Sequence, residues 1–169
     1  MSNFSYTIIF GTQSGNAQQF AEELEKDSKS KNIECKVLEA DNVSSIDEFN
    51  NNKLLVFIFS TFGDGEPTDD AVDFTDMIKQ DSFWEKLTNK ELNYAVFGLG
   101  NTAFPNYNVM GKLLDEIFSK HMKSLCPIGL GDDSGNINDD FTKWKDETFF
   151  PALDKFIKGY IILKKRILF

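Results

Sequence analysis

Leu54-Leu55-Val56-Phe57-Ile58-Phe59, running straight into Ser60-Thr61-Phe62-Gly63-Asp64-Gly65, is the stretch on which the fold turns. Six apolar residues in a row cannot alternate between core and solvent, so the run predicts a strand covered on both faces at the centre of a mostly parallel sheet. Its abrupt end in small and polar residues marks the carboxyl end of a strand, where such sheets bind ligands. The same handover recurs three times. Thr7-Ile8-Ile9-Phe10 meets Gly11-Thr12-Gln13-Ser14-Gly15-Asn16-Ala17, Tyr94-Ala95-Val96-Phe97 meets Gly98-Leu99-Gly100-Asn101-Thr102-Ala103-Phe104-Pro105-Asn106, and Pro127-Ile128 meets Gly129-Leu130-Gly131-Asp132-Asp133. Four such loops predict one pocket.

Helical patterns separate the strand runs. Ala17, Phe20, Ala21 and Leu24 share one face, Glu34-Cys35-Lys36-Val37-Leu38 reads as a second strand, and Ser44 to Phe49 as a short capped turn. Thr68-Asp69-Asp70-Ala71 opens a helix carrying Phe74 and Ile78, with acids in its first turn. Further stripes comprise Met110, Leu113, Leu114, Ile117 and Phe118, then Phe141, Trp144 and Thr148. Strands alternating with helices of this length imply right-handed crossovers, and so an α/β fold of five parallel strands with helices on both faces.

At 169 residues and 41% hydrophobic, with 17 Phe, the chain is one domain with material for a real core. Its net charge is -9, yet residues 157–169 hold Lys158, Lys164, Lys165 and Arg166 and no acid. The other 14 basic residues stand against all 27 acids, leaving -13 over residues 1–156. That body argues against nucleic acid and anionic membrane surfaces, and for a basic partner. Cys35 and Cys126 lack metal-ligand spacing and read as reduced thiols, so a cytoplasmic setting is expected. The first strand begins within a few residues of Met1, leaving no room for a signal peptide, and no apolar run approaches the roughly 20 residues that span a bilayer.

The first loop follows a strand and opens a helix, where backbone N–H groups and the helix dipole receive a phosphate. Thr12, Ser14 and Asn16 add side-chain donors, and no Gly-Lys-Ser/Thr supplies an ammonium or a magnesium-binding hydroxyl. A single monoester phosphate suits it better than a triphosphate. Gly98-Leu99-Gly100-Asn101-Thr102-Ala103 fits the dinucleotide pattern G-x-G-x-x-A, but Phe104-Pro105 interrupts and the next helix waits until about Val109. Phe62 and Phe104, each in a polar loop beyond a strand end, can sandwich a flat ring. Phosphate at one loop and a ring between two others describe a mononucleotide with a large planar base, which a flavin satisfies.

Thr12 to Ala17, Ser60 to Ala71, Phe97 to Asn108, Gly129 to Asp133, and Asp139-Asp140-Phe141-Thr142-Lys143-Trp144 ending at Phe150-Pro151-Ala152 together resemble the FMN domain of the diflavin reductase family, within it the NADPH-haemoprotein reductase group. The resemblance covers residues 5–156. It implies a flavodoxin-like three-layer sandwich of strand order 2-1-3-4-5. It implies FMN with its phosphate on Thr12, Gln13, Ser14, Gly15, Asn16 and Ala17. Ring contacts are implied from Ser60, Thr61, Phe62 and Gly63, from Leu99, Gly100, Asn101, Thr102, Ala103, Phe104, Pro105, Asn106, Tyr107 and Asn108, and from Asp133. Gly63 is where the family flips a peptide to present its carbonyl to flavin N5, which glycine permits in both backbone states. The two stacking positions are usually tyrosine there and are phenylalanine here, so stacking survives and a hydroxyl hydrogen bond is lost.

The resemblance further implies a domain over 1–156 that accepts electrons from an FAD/NADPH reductase module, in cis or in trans, and passes them singly to a basic-faced haemoprotein acceptor. It would be a monomer, cytoplasmic or brought to the cytosolic face of the endoplasmic reticulum by partners. The family's amino-terminal anchor and its FAD and NADPH modules have no counterpart in these residues. Residues 157–169 match no family segment and read as a gene-end artefact, a helix extension or a basic-apolar contact segment. Asp64, Glu66, Asp69, Asp70, Asp73, Asp76, Asp132, Asp133, Asp139 and Asp140 crowd the loop ends. One carboxylate about 8 Å from the ring, at an effective dielectric near 20, opposes an added negative charge by about 2 kcal/mol, roughly 90 mV per electron. No acid-base or nucleophile constellation is present, and His121, beside lysines at a helix end, reads as a dipole-complementing surface residue. The chain is therefore not expected to oxidise NADPH alone. A free-standing flavodoxin-type carrier, a flavin-dependent quinone reductase and a flavin-free interaction module of the same fold are the alternatives.

Overall fold

The computed structural model describes residues 4–168. In chain order they form β1 (Ser5–Gly11), α1 (Asn16–Ser30), β2 (Glu34–Glu39), α2 (Asp47–Asn51), β3 (Leu54–Phe62), β4 (Glu66–Pro67), α3 (Val72–Ile78), α4 (Asp81–Trp84), β5 (Asn93–Gly100), α5 (Val109–Ser119), β6 (Lys123–Ser124), β7 (Gly129–Asp132), α6 (Ile137–Trp144) and α7 (Phe150–Ile167). Parallel pairing runs β2-β1-β3-β5, and the far edge of β5 takes β6 at Asn93-Tyr94 and β7 at Phe97 to Gly100. β6 and β7 are thus two pieces of one edge strand, parted at Pro127, which has no N–H to give the ladder. Counted as one, they complete the flavodoxin-like order 2-1-3-4-5. β4 adds a short antiparallel pairing on the end of β3.

β3 lies centrally for the reason its composition demands. Leu54, Val56 and Ile58 point into the core shared with α1, α6 and α7, while Leu55, Phe57 and Phe59 point into the core shared with α3 and α5, all six at 0% exposure. Both faces are covered, so neither can be polar.

The strands run further than the apolar runs suggest. β3 continues to Phe62 and β5 to Gly100, while Gly129 to Asp132, expected as loop, is itself β7. Glycine lowers strand propensity, which masked these ends. Packing explains the residue type: a Cβ at Gly129 would lie 2.4 Å from Phe97 Cδ2 and 2.6 Å from Trp144 Cδ1, and one at Gly98 would lie 2.6 Å from Asn108 Oδ1. A second shift follows Trp144, where one π-helical turn, Lys145–Phe149, lets Phe149 rather than Thr148 take the core position, at 0% exposure. Lys145 in that turn is buried and donates to Glu23 at 2.6 Å and to Asp27, fastening the turn to α1. No break in helix falls at residue 156, because α7 continues to Ile167.

His121 does not act as a charged cap. Its ring stacks on Trp84 with centroids 4.2 Å apart and planes 3° apart, and loss of water contact lowers its pKa from 6.5. Asp81 raises it, and Lys120 and Lys90 lower it again. A base whose pKa is depressed on folding binds more protons unfolded than folded, so its contribution to stability is full above about pH 6.5 and declines below it. As the single histidine, its imidazole protons should titrate below 6.5 in NMR spectra of the folded chain. A midpoint at or above that value would contradict the stacked, neutral ring.

Candidate functional site

A cavity of about 440 Å³ opens at the carboxyl ends of β1, β3, β5 and β7, lined by Gln13, Ser14, Asn16, Ser60, Thr61, Phe62, Gly63, Leu99, Gly100, Asn101, Phe104, Asn106, Tyr107, Asp133 and Ile137. That volume is ordinary for a small-molecule site. No lysine or arginine lines it, and Asp133 is its one formal charge.

The first loop is shaped so that helix α1 begins bare. Gly15 stands before it at φ 95 with no side-chain cap, and a Cβ there would meet nothing within 4 Å. The first-turn N–H groups of a helix have no partner within it, so donors are left for an anion. Two carboxylates hold the loop in place. Thr12 N–H donates to both Asp70 oxygens at 3.0 and 2.9 Å, and Thr68 Oγ1 donates to the same carboxylate at 2.5 Å. Gln13 and Asp69 exchange two bonds, Gln13 Nε2 to Asp69 Oδ2 at 2.9 Å and Asp69 N–H to Gln13 Oε1 at 3.0 Å. Thr12 Oγ1 accepts from Gly15 N–H at 2.9 Å.

The second loop is a hairpin in which Thr61 faces Pro67 and Phe62 faces Glu66, turning through Gly63 at φ 51 and Gly65 at φ 106. Both glycines occupy the left-handed region that other residues rarely adopt. Phe62 is left 42% exposed at the mouth of the cavity, and Phe104 in the third loop is 62% exposed on the cavity wall. Asn106 Nδ2 donates to Asp64 O, and Thr61 Oγ1 accepts from Met110 N–H at 3.2 Å, so the two aromatic-bearing loops are joined.

The third and fourth loops are joined through Asp132. Its carboxylate accepts from Thr102 N–H at 3.0 Å, Thr102 Oγ1 at 2.7 Å, and Ser134 N–H and Oγ at 3.0 and 2.7 Å. The Thr102 bonds, then those from Ser134, hold it well below the usual carboxylate range. Asp140 accepts from Asp132 N–H at 2.8 Å, and Asp133 N–H donates to Gly100 O at 2.8 Å. Asn108, fully buried at φ 54, donates from Nδ2 to Gly131 O at 3.0 Å, and its Oδ1 has no partner.

The structure therefore sorts the expected site residues. Those from Gln13, Ser14 and Asn16, from Ser60 to Gly63, from Leu99 to Asn101, and Phe104, Asn106, Tyr107 and Asp133 share one wall. Thr12, Thr102 and Asn108 lie outside it as braces, Ala17 packs beneath in the core, and Gly15, Ala103 and Pro105 are not on the wall. Ile137 lines the cavity unanticipated. The signal available was an apolar residue directly after the polar run Ser134-Gly135-Asn136, whose last member caps α6 by accepting from Asp139 N–H. Among the described residues no group of three or more His, Cys, Asp or Glu could hold a metal ion, and no helix is long and apolar enough to cross a membrane.

The flavodoxin family model matches residues 8–144. NADPH–cytochrome P450 reductases from Cavia porcellus and Homo sapiens are 35% identical over 155 residues, covering 88% and 86% of this chain. That from Drosophila melanogaster is 36% identical over 161 residues, covering 90%. In each case the match takes up 22% of the relative, so the chain spans about a fifth of the length of these proteins. Among solved structures, a cysteine-to-alanine mutant of flavodoxin from Pseudomonas aeruginosa superposes with a TM-score of 0.71 at 21% identity, covering 89% of this chain and 99% of that one. Oxidised flavodoxin 1 from Bacillus cereus gives 0.62 at 20% identity, covering 82% and 92%.

Proposed function

The chain belongs to the flavodoxin family, and on that premise we propose that it is an electron-transfer domain taking electrons from an FAD/NADPH module and passing them singly to a haemoprotein. FMN is the cofactor of this family, and the residues present fit it. The observation that carries the reading is the pair of exposed phenylalanines, Phe62 and Phe104, held on two tied loops over a wall without cations. Gln13, Ser14, Asn16 and the bare first turn of α1 would hold a monoester phosphate through neutral donors. Phe62 and Phe104 would cover the ring, with Leu99 to Asn101 and Tyr107 along its edge. Gly63 carries no Cβ and leaves its peptide free to turn. Bound, FMN supplies the redox chemistry by exchanging electrons one or two at a time, and the protein positions it and sets its potential.

The acidic rim is narrower than composition suggests. Asp69, Asp70, Asp132 and Asp140 hold loops, and of the ten acids Asp64, Glu66, Asp69, Asp73, Asp76, Asp133 and Asp139 are exposed. Those seven would steer a basic haemoprotein face towards the phenylalanines, an effect that salt weakens.

Cofactor extraction tests the site, and FMN is the expected product; FAD, or no flavin after refolding with excess FMN, overturns the reading. The FMN-loaded chain should not oxidise NADPH unaided and should reduce a cytochrome once a separate FAD/NADPH module is added. Unaided NADPH oxidation would mark a quinone reductase. If Asp64→Asn with Glu66→Gln left the rate and its salt dependence unchanged, the docking role would be wrong.

A further inference from the structure

The exposed large hydrophobic side chains among the described residues fall into two groups. Phe62 and Phe104 belong to the cavity wall, and Val72 opens α3 shortly after the segment that Asp69 ties to Gln13. The other four, Ile162, Leu163, Ile167 and Leu168, are 54%, 60%, 83% and 78% exposed at the end of α7. That end lies at the opposite pole from the cavity. Phe149 meets Tyr6 within β1, and Phe156 and Tyr160 then meet Phe4 just before β1, with ring centroids 5.6 and 5.9 Å apart. α7 therefore runs back along β1 and passes its amino end, and the seven helical residues after Tyr160 project about 10 Å further.

Leu153, Phe156, Tyr160, Leu163 and Ile167 follow one another at spacings of three and four, so a single apolar stripe begins in the core and continues beyond it. Lys158, Lys164, Lys165 and Arg166 accompany it, with no acid after Asp154. Lys164 Nζ lies over the Tyr160 ring at 5.0 Å, and none of the four is in an ion pair among the described residues. Unpaired cations and an uncovered apolar stripe on one projecting helix call for a partner that is anionic and apolar in the same surface.

We propose that the end of α7 docks on an anionic lipid bilayer, with Leu163, Ile167 and Leu168 entering the interface and Lys158, Lys164, Lys165 and Arg166 reaching the head groups. Basic side chains of this length lay their stems along apolar surface while their charges stay at the polar boundary. A second copy of the chain fits less well, because pairing two such ends would bring like charges together. The acidic loops do not oppose docking: the seven residues of β1 separate them from this pole by about 20 Å, more than two Debye lengths at physiological salt. Docked in this way, the chain turns its cavity away from the lipid.

Sedimentation of the full chain with phosphatidylcholine vesicles, with and without phosphatidylserine, tests this. Binding is expected only to the phosphatidylserine vesicles, is released by high salt, and falls about a hundredfold in the K164Q/K165Q/R166Q variant. L163S/I167S should weaken it as well. The altered side chains lie past the packed body, so circular dichroism and flavin loading should match the parent chain. Absence of binding to both vesicles, equal binding to both, or full binding by the charge variant overturns the proposal. So does a dimer in sedimentation equilibrium that L163S/I167S dissociates, which would make a second copy the occupant.

Discussion

Replacing Phe62 and Phe104 together with alanine is expected to weaken FMN binding about a thousandfold. Phe104 is largely in solvent and Phe62 is about two-fifths exposed, so both present a ring face that is free to cover a ligand. Stacking contributes about 0.5 to 1.5 kcal/mol per ring beyond area burial, and burying roughly half of each exposed ring adds about 1 kcal/mol, for about 4 kcal/mol over the pair. Quenching of flavin fluorescence on titration gives the affinity directly. The urea midpoint of the flavin-free protein should stay where it is. A loss of less than about tenfold would mean that the rings do not cover the flavin, whereas tyrosine at both positions should retain tight binding.

The second large effect is on stability. Phe57→Ala should cost about 3 to 5 kcal/mol, a large share of the roughly 5 to 15 kcal/mol that a domain has. Phe57 is fully buried at the centre of β3, with its ring 4.3 Å from that of Phe118 and about 6 Å from those of Phe49, Phe59 and Phe74. Facing rings that are themselves locked cannot collapse into the space left. The urea midpoint should fall with the slope unchanged, and flavin affinity of the folded protein should hold, since Phe57 is not on the cavity wall. A cost below about 1 kcal/mol would show that the aromatic layer repacks.

The central strand, the helix faces and the four loop positions were legible because each rests on a local periodicity or on a residue type with few uses. Leu54 to Phe59 could only be a strand buried on both sides. Strand ends were harder to read. Gly98, Gly100, Gly129 and Gly131 carry the signature of loops, and their placement inside β5 and β7 goes with Phe97, Trp144, Asn108 and Ile137 pressing against them, contacts that only the folded chain makes. Within the site, the residues that line the cavity and those that brace it look alike in sequence. Thr12 and Ser14 are both hydroxyl residues of one loop, yet Thr12 is held through its Oγ1 by Gly15 N–H and through its own N–H by Asp70, 58 positions away, while Ser14 lines the cavity. The phase change after Trp144 was equally hidden, since a single inserted helical residue leaves no compositional trace.

The four loops around the cavity are tied in a row, each to the next. Asp69 and Asp70 tie the first loop to the segment after β4, Asn106 ties the second to the third, and Asp132 and Asp133 tie the third to the fourth. Outside the peptide of Gly63, a mouth built this way has little freedom to shift when a ligand's charge changes. In the electron-transfer role proposed above, the cost of a transfer is set by how far atoms must shift when the charge changes. With the surrounding atoms already fixed to one another, that reorganisation is small.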